Sequence, residues 1–212
     1  MPNRTRCMLV ALATALALML MTGAATALRS LSLNPVPRSW TLTQRGVAFR
    51  SELGEIICNL TLRKGTPGIF PKRAGTMVGE IFGFFTEACR GNGLIESPRV
   101  VPLNVEPELW KMVYTAILGT LPRITGIKFQ IREFLLLFEM LVFGAVMRCL
   151  YRGPVEELAT VTEGVIGRLR FTRESRRLTL SPERLNNEIC PRTGEIIAES
   201  LEPEQVISVS LV

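Results

Sequence analysis

Residues 56–64 of the chain read IICNLTLRK, and this stretch decides the fold class. The apolar and the mainly polar positions alternate along it: Ile56, Cys58, Leu60 and Leu62 against Ile57, Asn59, Thr61 and Arg63. A period of two is the pattern of a strand that buries one face. The stretch therefore predicts a half-buried β-strand with its cysteine on the core face.

The same alternation recurs further along the chain, at 127–131, 165–171 and 207–211. Runs rich in Gly, Pro and Asn lie between the candidate strands, at 65–68, 91–93, 153–154 and 191–194. Short strands separated by turn signals are typical of a sandwich or a barrel. We expect an all-β, disulfide-stapled sandwich or barrel-like domain.

Composition limits the chemistry that this domain could perform. The chain has 212 residues, 47% of them hydrophobic, with no histidine, and all 19 acidic residues are glutamate. These absences exclude a Ser-His-Asp triad and imidazole zinc sites. The chain therefore predicts no enzyme, no metal site and no cofactor.

Three pairs of glutamates lie close together in the sequence: Glu106 and Glu108, Glu156 and Glu157, and Glu202 and Glu204. A glycosidase places its two carboxylates across a cleft, normally from distant segments. We therefore expect these local pairs to be solvated.

The N-terminus has the three parts of a secretory signal. Arg4 and Arg6 precede an apolar run at 7–21, and Ala25-Thr26-Ala27 then offers a cleavage site before Leu28. The alternative is a retained membrane anchor. Cleavage would remove two of the 25 basic residues and no acidic one, so the net charge would fall from +6 to +4. We predict a signal peptide at 1–27, an extended leader at 28–40 and a single β-rich domain at 41–212.

Cleavage would also leave an even number of cysteines, namely Cys58, Cys89, Cys149 and Cys190. An even number in an exported chain favours two disulfides, for which three connectivities are possible. We favour Cys58 with Cys89 and Cys149 with Cys190, because each half of the chain then closes its own loop.

For two segments the sequence is compatible with more than one type of secondary structure. Residues 134–147, FLLLFEMLVFGAVM, fit a buried strand pair, a core helix or a membrane segment. Residues 75–89 carry glycine at every fourth position from 75 to 83, which fits either a helix face or a strand with close backbone neighbours.

Several short motifs resemble a group of uncharacterised exported actinobacterial proteins of about 200 residues with paired cysteines. They are ICNLTL at 57–62, Cys89 with Gly-Asn-Gly at 91–93, GTLPRITGIKFQI at 119–131, CLY at 149–151 and Cys190-Pro191. The resemblance implies an exported β-rich domain and supplies no activity and no site residues. Residues 134–147 depart from it by being more apolar.

Arginines form the densest run of charge in the chain: Arg168, Arg170, Arg173, Arg176 and Arg177. On a strand 168 and 170 share a face, and a following turn would bring the others beside them. Such a patch could bind a cell-wall or other anionic polymer, or be an ordinary solvated face with Glu163 and Glu174 as counter-charges. The aromatic residue within the run, Phe171, falls on the opposite face of the predicted strand from Arg168 and Arg170, so we expect no nucleic acid partner.

The sequence thus predicts a secreted or cell-envelope β-domain without catalytic residues, which is structural or binds through its surface. One alternative is an anionic-polymer binding module using the face from Arg168 to Arg177. The other is an integral membrane protein using 7–27 and 134–150. Otherwise we expect contact with a membrane only through an uncleaved N-terminus.

Overall fold

The computed structural model describes residues 30–34, 39–65, 71–101, 110–120, 122–182 and 186–211. The predicted signal peptide and the pair Glu106 and Glu108 lie outside these residues. In the described part of the chain the secondary structure is β-strand, with a single 3-10 turn at Arg173–Ser175.

The first six strands are β1 (Leu31–Asn34), β2 (Ser39–Ser51), β3 (Gly54–Gly65), β4 (Met77–Gly91), β5 (Glu96–Val101) and β6 (Trp110–Leu118). The next three are β7 (Gly126–Val142), β8 (Ala145–Thr162) and β9 (Val165–Phe171). The last four are β10 (Arg177–Leu180), β11 (Thr193–Ile197), β12 (Glu202–Pro203) and β13 (Ser208–Leu211).

The strands form one sheet that closes on itself. In hydrogen-bonded order they run β8, β10, β11, β2, β3, β4, β6, β7 and back to β8, and each of these pairings is antiparallel. The long strand β8 pairs with β7 along one edge, and along the other it pairs first with β10 and then with β9. The all-β prediction is confirmed, in barrel-like form.

Alternation along the strands fills the interior with apolar side chains. The predicted core positions of β3, from Ile56 to Leu62, are at most 5% exposed, and Ile127, Phe129 and Ile131 of β7 are at most 1% exposed. Removing such side chains from water is the main force that stabilises a closed sheet of this kind.

The apolar segment 134–147 is a strand pair. It contains the end of β7, a turn at Phe143-Gly144 and the start of β8, with Val142 opposite Ala145. Both turn residues have positive φ, as a two-residue hairpin turn requires. The strand interpretation is therefore confirmed and the helix interpretation is wrong. Within the described residues, no helix combines the length and apolar character needed to cross a membrane.

The glycine-rich segment 75–89 also adopts the strand alternative, as most of β4. A Cβ at Gly79 would come within 2.6 Å of the carbonyl oxygen of Gly65. Close approach of a neighbouring backbone thus accounts for the glycine at this position.

The turn predicted at Gly153-Pro154 does not form, because both residues lie inside β8. Opposite them the register of β7 shifts between Ile131 and Phe134, so the sheet has a bulge here. A Cβ at Gly153 would lie 3.3 Å from the carbonyl oxygen of Arg177 on β10. Gly153 and Pro154 therefore fit a strand at a place where β10 comes close and the hydrogen bonding to β7 is interrupted. They do not reverse the direction of the chain.

The turn at Asn92-Gly93 forms, but it does not make a hairpin. It joins β4 to β5, which pair with β3 and with β7 respectively. Asn92 binds instead to the end of the β2–β3 hairpin: its side-chain oxygen accepts a hydrogen bond from the Glu55 amide at 2.9 Å.

The turn predicted at 191–194 likewise does not extend over all four residues, because the last two, Thr193 and Gly194, begin β11. A Cβ on Gly194 would come within 2.2 Å of the Phe49 ring. The glycine therefore makes room for a core aromatic side chain.

Both predicted disulfides are present, Cys58 with Cys89 and Cys149 with Cys190. The first joins β3 to β4, and the second joins β8 to the segment before β11. Within the predicted leader, β1 pairs along its whole length with β13, so the two ends of the described chain meet.

Candidate functional site

A surface cleft of about 640 Å³ lies beside β9 and the 3-10 turn. Its walls carry six charged side chains: Lys128, Arg170, Arg173, Glu174, Arg176 and Glu199. The cleft is thus a concave and charged feature of the described surface.

The local structure of β9 explains how the arginines reach this cleft. Leu169 and Phe171 are buried, so the alternation of the strand exposes Arg170 between them. The chain then enters the 3-10 turn, which carries Arg173. The Ser175 hydroxyl accepts a hydrogen bond from the Glu156 amide at 3.0 Å and so ties this turn to β8.

Two of the four cations of the cleft already have carboxylate partners. Lys128 contacts Glu156 at 2.9 Å, and Arg176 contacts Glu195 at 3.1 Å. Arg170 and Arg173 form no ion pair with any described residue. Arg176 also holds a buried Nε–H that finds no acceptor among the described residues.

The structure brings together three of the five predicted arginines. Arg168 lies outside the cleft and pairs with Glu202 at 3.2 Å, with 70% of its side chain exposed. Arg177 begins β10, outside the cleft lining. Among the described residues the counter-charges are Glu195 and Glu202 rather than Glu163 and Glu174.

A second charged site lies inside the closed sheet, and the sequence analysis missed it. Lys64 of β3 and Glu157 of β8 form an ion pair, and both side chains are 0% exposed. The expectation that Glu156 and Glu157 are a solvated pair is wrong for Glu157, because the alternation of β8 turns it inward with Val155 and Ala159.

The surroundings of this pair are mostly apolar. Trp40 lies directly opposite Lys64 on β2, with the ammonium 5.2 Å from its ring, and Met112 Sδ lies 3.7 Å from the same nitrogen. Burial lowers the pKa of Lys64, and the neighbouring Glu157 carboxylate opposes this effect in part. Glu157 Oε1 and Trp40 Nε1 are buried without a hydrogen-bond partner among the described residues.

A signal for this pair was present in the sequence. Lys64 continues the even-numbered core positions of β3, and Glu157 continues the odd-numbered core positions of β8. A charged residue in phase with buried ones is expected on the core side of its strand, where it needs a partner of opposite charge.

In the described part of the chain, no three cysteines or glutamates lie close enough together to hold a metal ion. Comparison with models of protein families, with curated proteins and with solved structures gives no match. The proposal for a function therefore depends on the charged cleft and the disulfides of the described structure.

Proposed function

We propose that this protein is an exported, non-catalytic β-domain of the cell envelope or extracellular space that binds an anionic polymer in the cleft beside β9. The observation that carries the proposal is the pair Arg170 and Arg173, two cations in one cleft that lack ion-pair partners in the described structure. Export is supported by the two disulfides, which persist in oxidising compartments.

The guanidinium group suits this role. Its planar fork of N–H donors matches the two oxygens of a phosphate or a carboxylate, and it stays charged at every physiological pH. A bound anionic oxygen would therefore pair with the two arginines of the cleft, Arg170 and Arg173, that form no ion pair with a described residue.

The carboxylates of the cleft suggest what kind of polymer fits. Glu174 and Glu199 line it together with the arginines, so a continuous run of negative charge would meet repulsion. A polymer with neutral hydroxyls between its anionic groups would let these carboxylates accept hydrogen bonds. Polyol phosphates and acidic glycans have this character.

Retention on immobilised poly(glycerol phosphate) in a salt gradient tests the proposal. We expect the wild-type protein to bind at low salt and to elute as salt screens the interaction. The variant Arg170→Glu with Arg173→Glu should elute at clearly lower salt. The matched control, Arg168→Glu with Arg177→Glu, changes the net charge equally outside the cleft and should elute close to the wild type.

Two results would contradict the proposal. If the wild-type protein passes through the column at low salt, the cleft does not bind this class of polymer. If both double variants lose retention equally, the interaction follows net charge and is not located in the cleft. Circular dichroism of each variant checks that the β-fold is intact.

A further inference from the structure

The buried ion pair of Lys64 and Glu157 links two opposite walls of the closed sheet. Its residues are 93 positions apart in the sequence, on β3 and β8, which are not neighbours in the sheet. Neither of the two disulfides makes a connection between these walls.

The ionic form of this pair is expensive to keep. Both side chains are fully buried, and the second oxygen of Glu157 has no hydrogen-bond donor among the described residues. Taking two charges out of water costs several kcal/mol per ion in real proteins, and incomplete hydrogen bonding leaves part of that cost uncompensated. Burial also lowers the pKa of Lys64 and so favours its unprotonated amine, while the Glu157 carboxylate opposes this effect in part.

The pair has the two groups that amide formation requires. An unprotonated amine is a nucleophile, and the carbon of a carboxyl group is an electrophile from which one oxygen can leave as water. The two side chains are already in contact, and well-oriented intramolecular reactions reach effective molarities of about 10⁵ to 10⁸ M. Exclusion of bulk water also disfavours the reverse reaction, hydrolysis.

We propose that Lys64 and Glu157 are a modification site at which the chain forms an internal amide cross-link between β3 and β8. The Nζ lone pair of Lys64 attacks Cδ of Glu157, the Nζ–Cδ bond forms, and one Cδ–O bond breaks. Nζ and the carboxyl oxygens carry three protons between them; two leave with the departing oxygen as water, and one stays on the amide nitrogen. No oxidant, reductant or further reactant takes part.

The cross-link would act as a third covalent connection within the sheet. The disulfides hold β4 to β3 and the segment before β11 to β8. An amide bond between Lys64 and Glu157 would hold β3 directly to β8. This inference does not depend on the polymer-binding cleft, and either proposal can fail while the other stands.

Mass spectrometry of the purified wild-type protein tests the cross-link. The protein is reduced and alkylated, its intact mass is measured, and its N-terminus is identified by peptide mapping. We expect a mass lower than that of the linear chain by one water, and a digest that contains Lys64 and Glu157 in a single branched peptide.

Two variants complete the experiment. Lys64→Met removes the nucleophile and should show the full linear mass. Lys111→Met makes the same substitution at an exposed lysine and should keep the loss of one water. A wild-type protein with the full linear mass, or a water loss that maps to other residues, would overturn the proposal.

Discussion

Glu139 shows how one partly buried residue can connect three strands. Its carboxylate on β7 accepts hydrogen bonds at 2.8 Å from Arg148 Nε on β8 and from Arg99 Nε on β5. The hydrogen bond from Arg148 is the main cause that lowers the pKa of Glu139, and the one from Arg99 is next. This charge interrupts an apolar strand because it points away from the core.

The sign of this shift predicts a pH dependence. A carboxyl group with a lower pKa in the folded state stabilises the fold above its unfolded pKa, and the effect is lost as pH falls through the folded value. We therefore expect Glu139→Gln to lower the free energy of unfolding at pH 7, with the difference from wild type disappearing on acidification below about 4.5.

Urea unfolding at a series of pH values measures this difference. Glu55→Gln is the control, because among the described residues Glu55 pairs with a single arginine, Arg50, at 2.9 Å. It should have the smaller effect, since isolated surface ion pairs contribute little. If the free energy of unfolding of Glu139→Gln stays below that of wild type by the same amount from pH 7 to the lowest pH measured, the account is contradicted.

Residue-level prediction from the sequence succeeded where alternation alone decides the environment. Arg168 and Arg170 are exposed as predicted, because a period of two fixes which side of β9 they occupy. Alternation could not show that Arg168 pairs with Glu202 while Arg170 enters the cleft. Those contacts depend on which distant segments pack beside β9.

At the scale of elements, the β7–β8 hairpin turn contains an unfavourable residue. Phe143 has φ +52° and is 79% exposed, so its side chain neither suits the backbone nor packs in the core. Turns of this type favour Asn at the first central position, followed by Gly. The left-handed conformation costs about 1–2 kcal/mol for an ordinary L-residue.

Replacing Phe143 with Asn should therefore stabilise the protein by about 0.5–1 kcal/mol, since Asn tolerates this conformation. Urea unfolding at neutral pH measures the change. Phe143→Ala is the control, because it removes the exposed ring and keeps the backbone cost, and it should stay within about 0.5 kcal/mol of wild type. A loss of stability in Phe143→Asn would show that the ring packs against the protein.

Element prediction from the sequence failed where local signals compete with packing. Gly153 and Pro154 have the composition of a turn, yet the strand passes through them, because a bulge on β7 and the approach of β10 require a small residue there. The disulfide pairing was predicted correctly, since cysteine number and spacing depend little on such packing.

At the scale of the whole molecule, the closure of the sheet depends on pairings between distant parts of the chain. The strand β11, near the C-terminus, pairs with β2, near the N-terminus, and β1 pairs with β13. Such contacts carry no local sequence pattern, so the strand order could not be derived from alternation and turns. The all-β class could be derived, because it needs only those local patterns.

The central claim is that the chain is an exported domain held by two disulfides, and intact mass tests it most directly. The protein is recovered from a secreting host, and its thiols are alkylated before and after reduction. We predict soluble material that begins at Leu28, takes no label before reduction and takes four labels afterwards, one each on Cys58, Cys89, Cys149 and Cys190. Full-length protein in the membrane fraction, with thiols that label before reduction, would contradict the account.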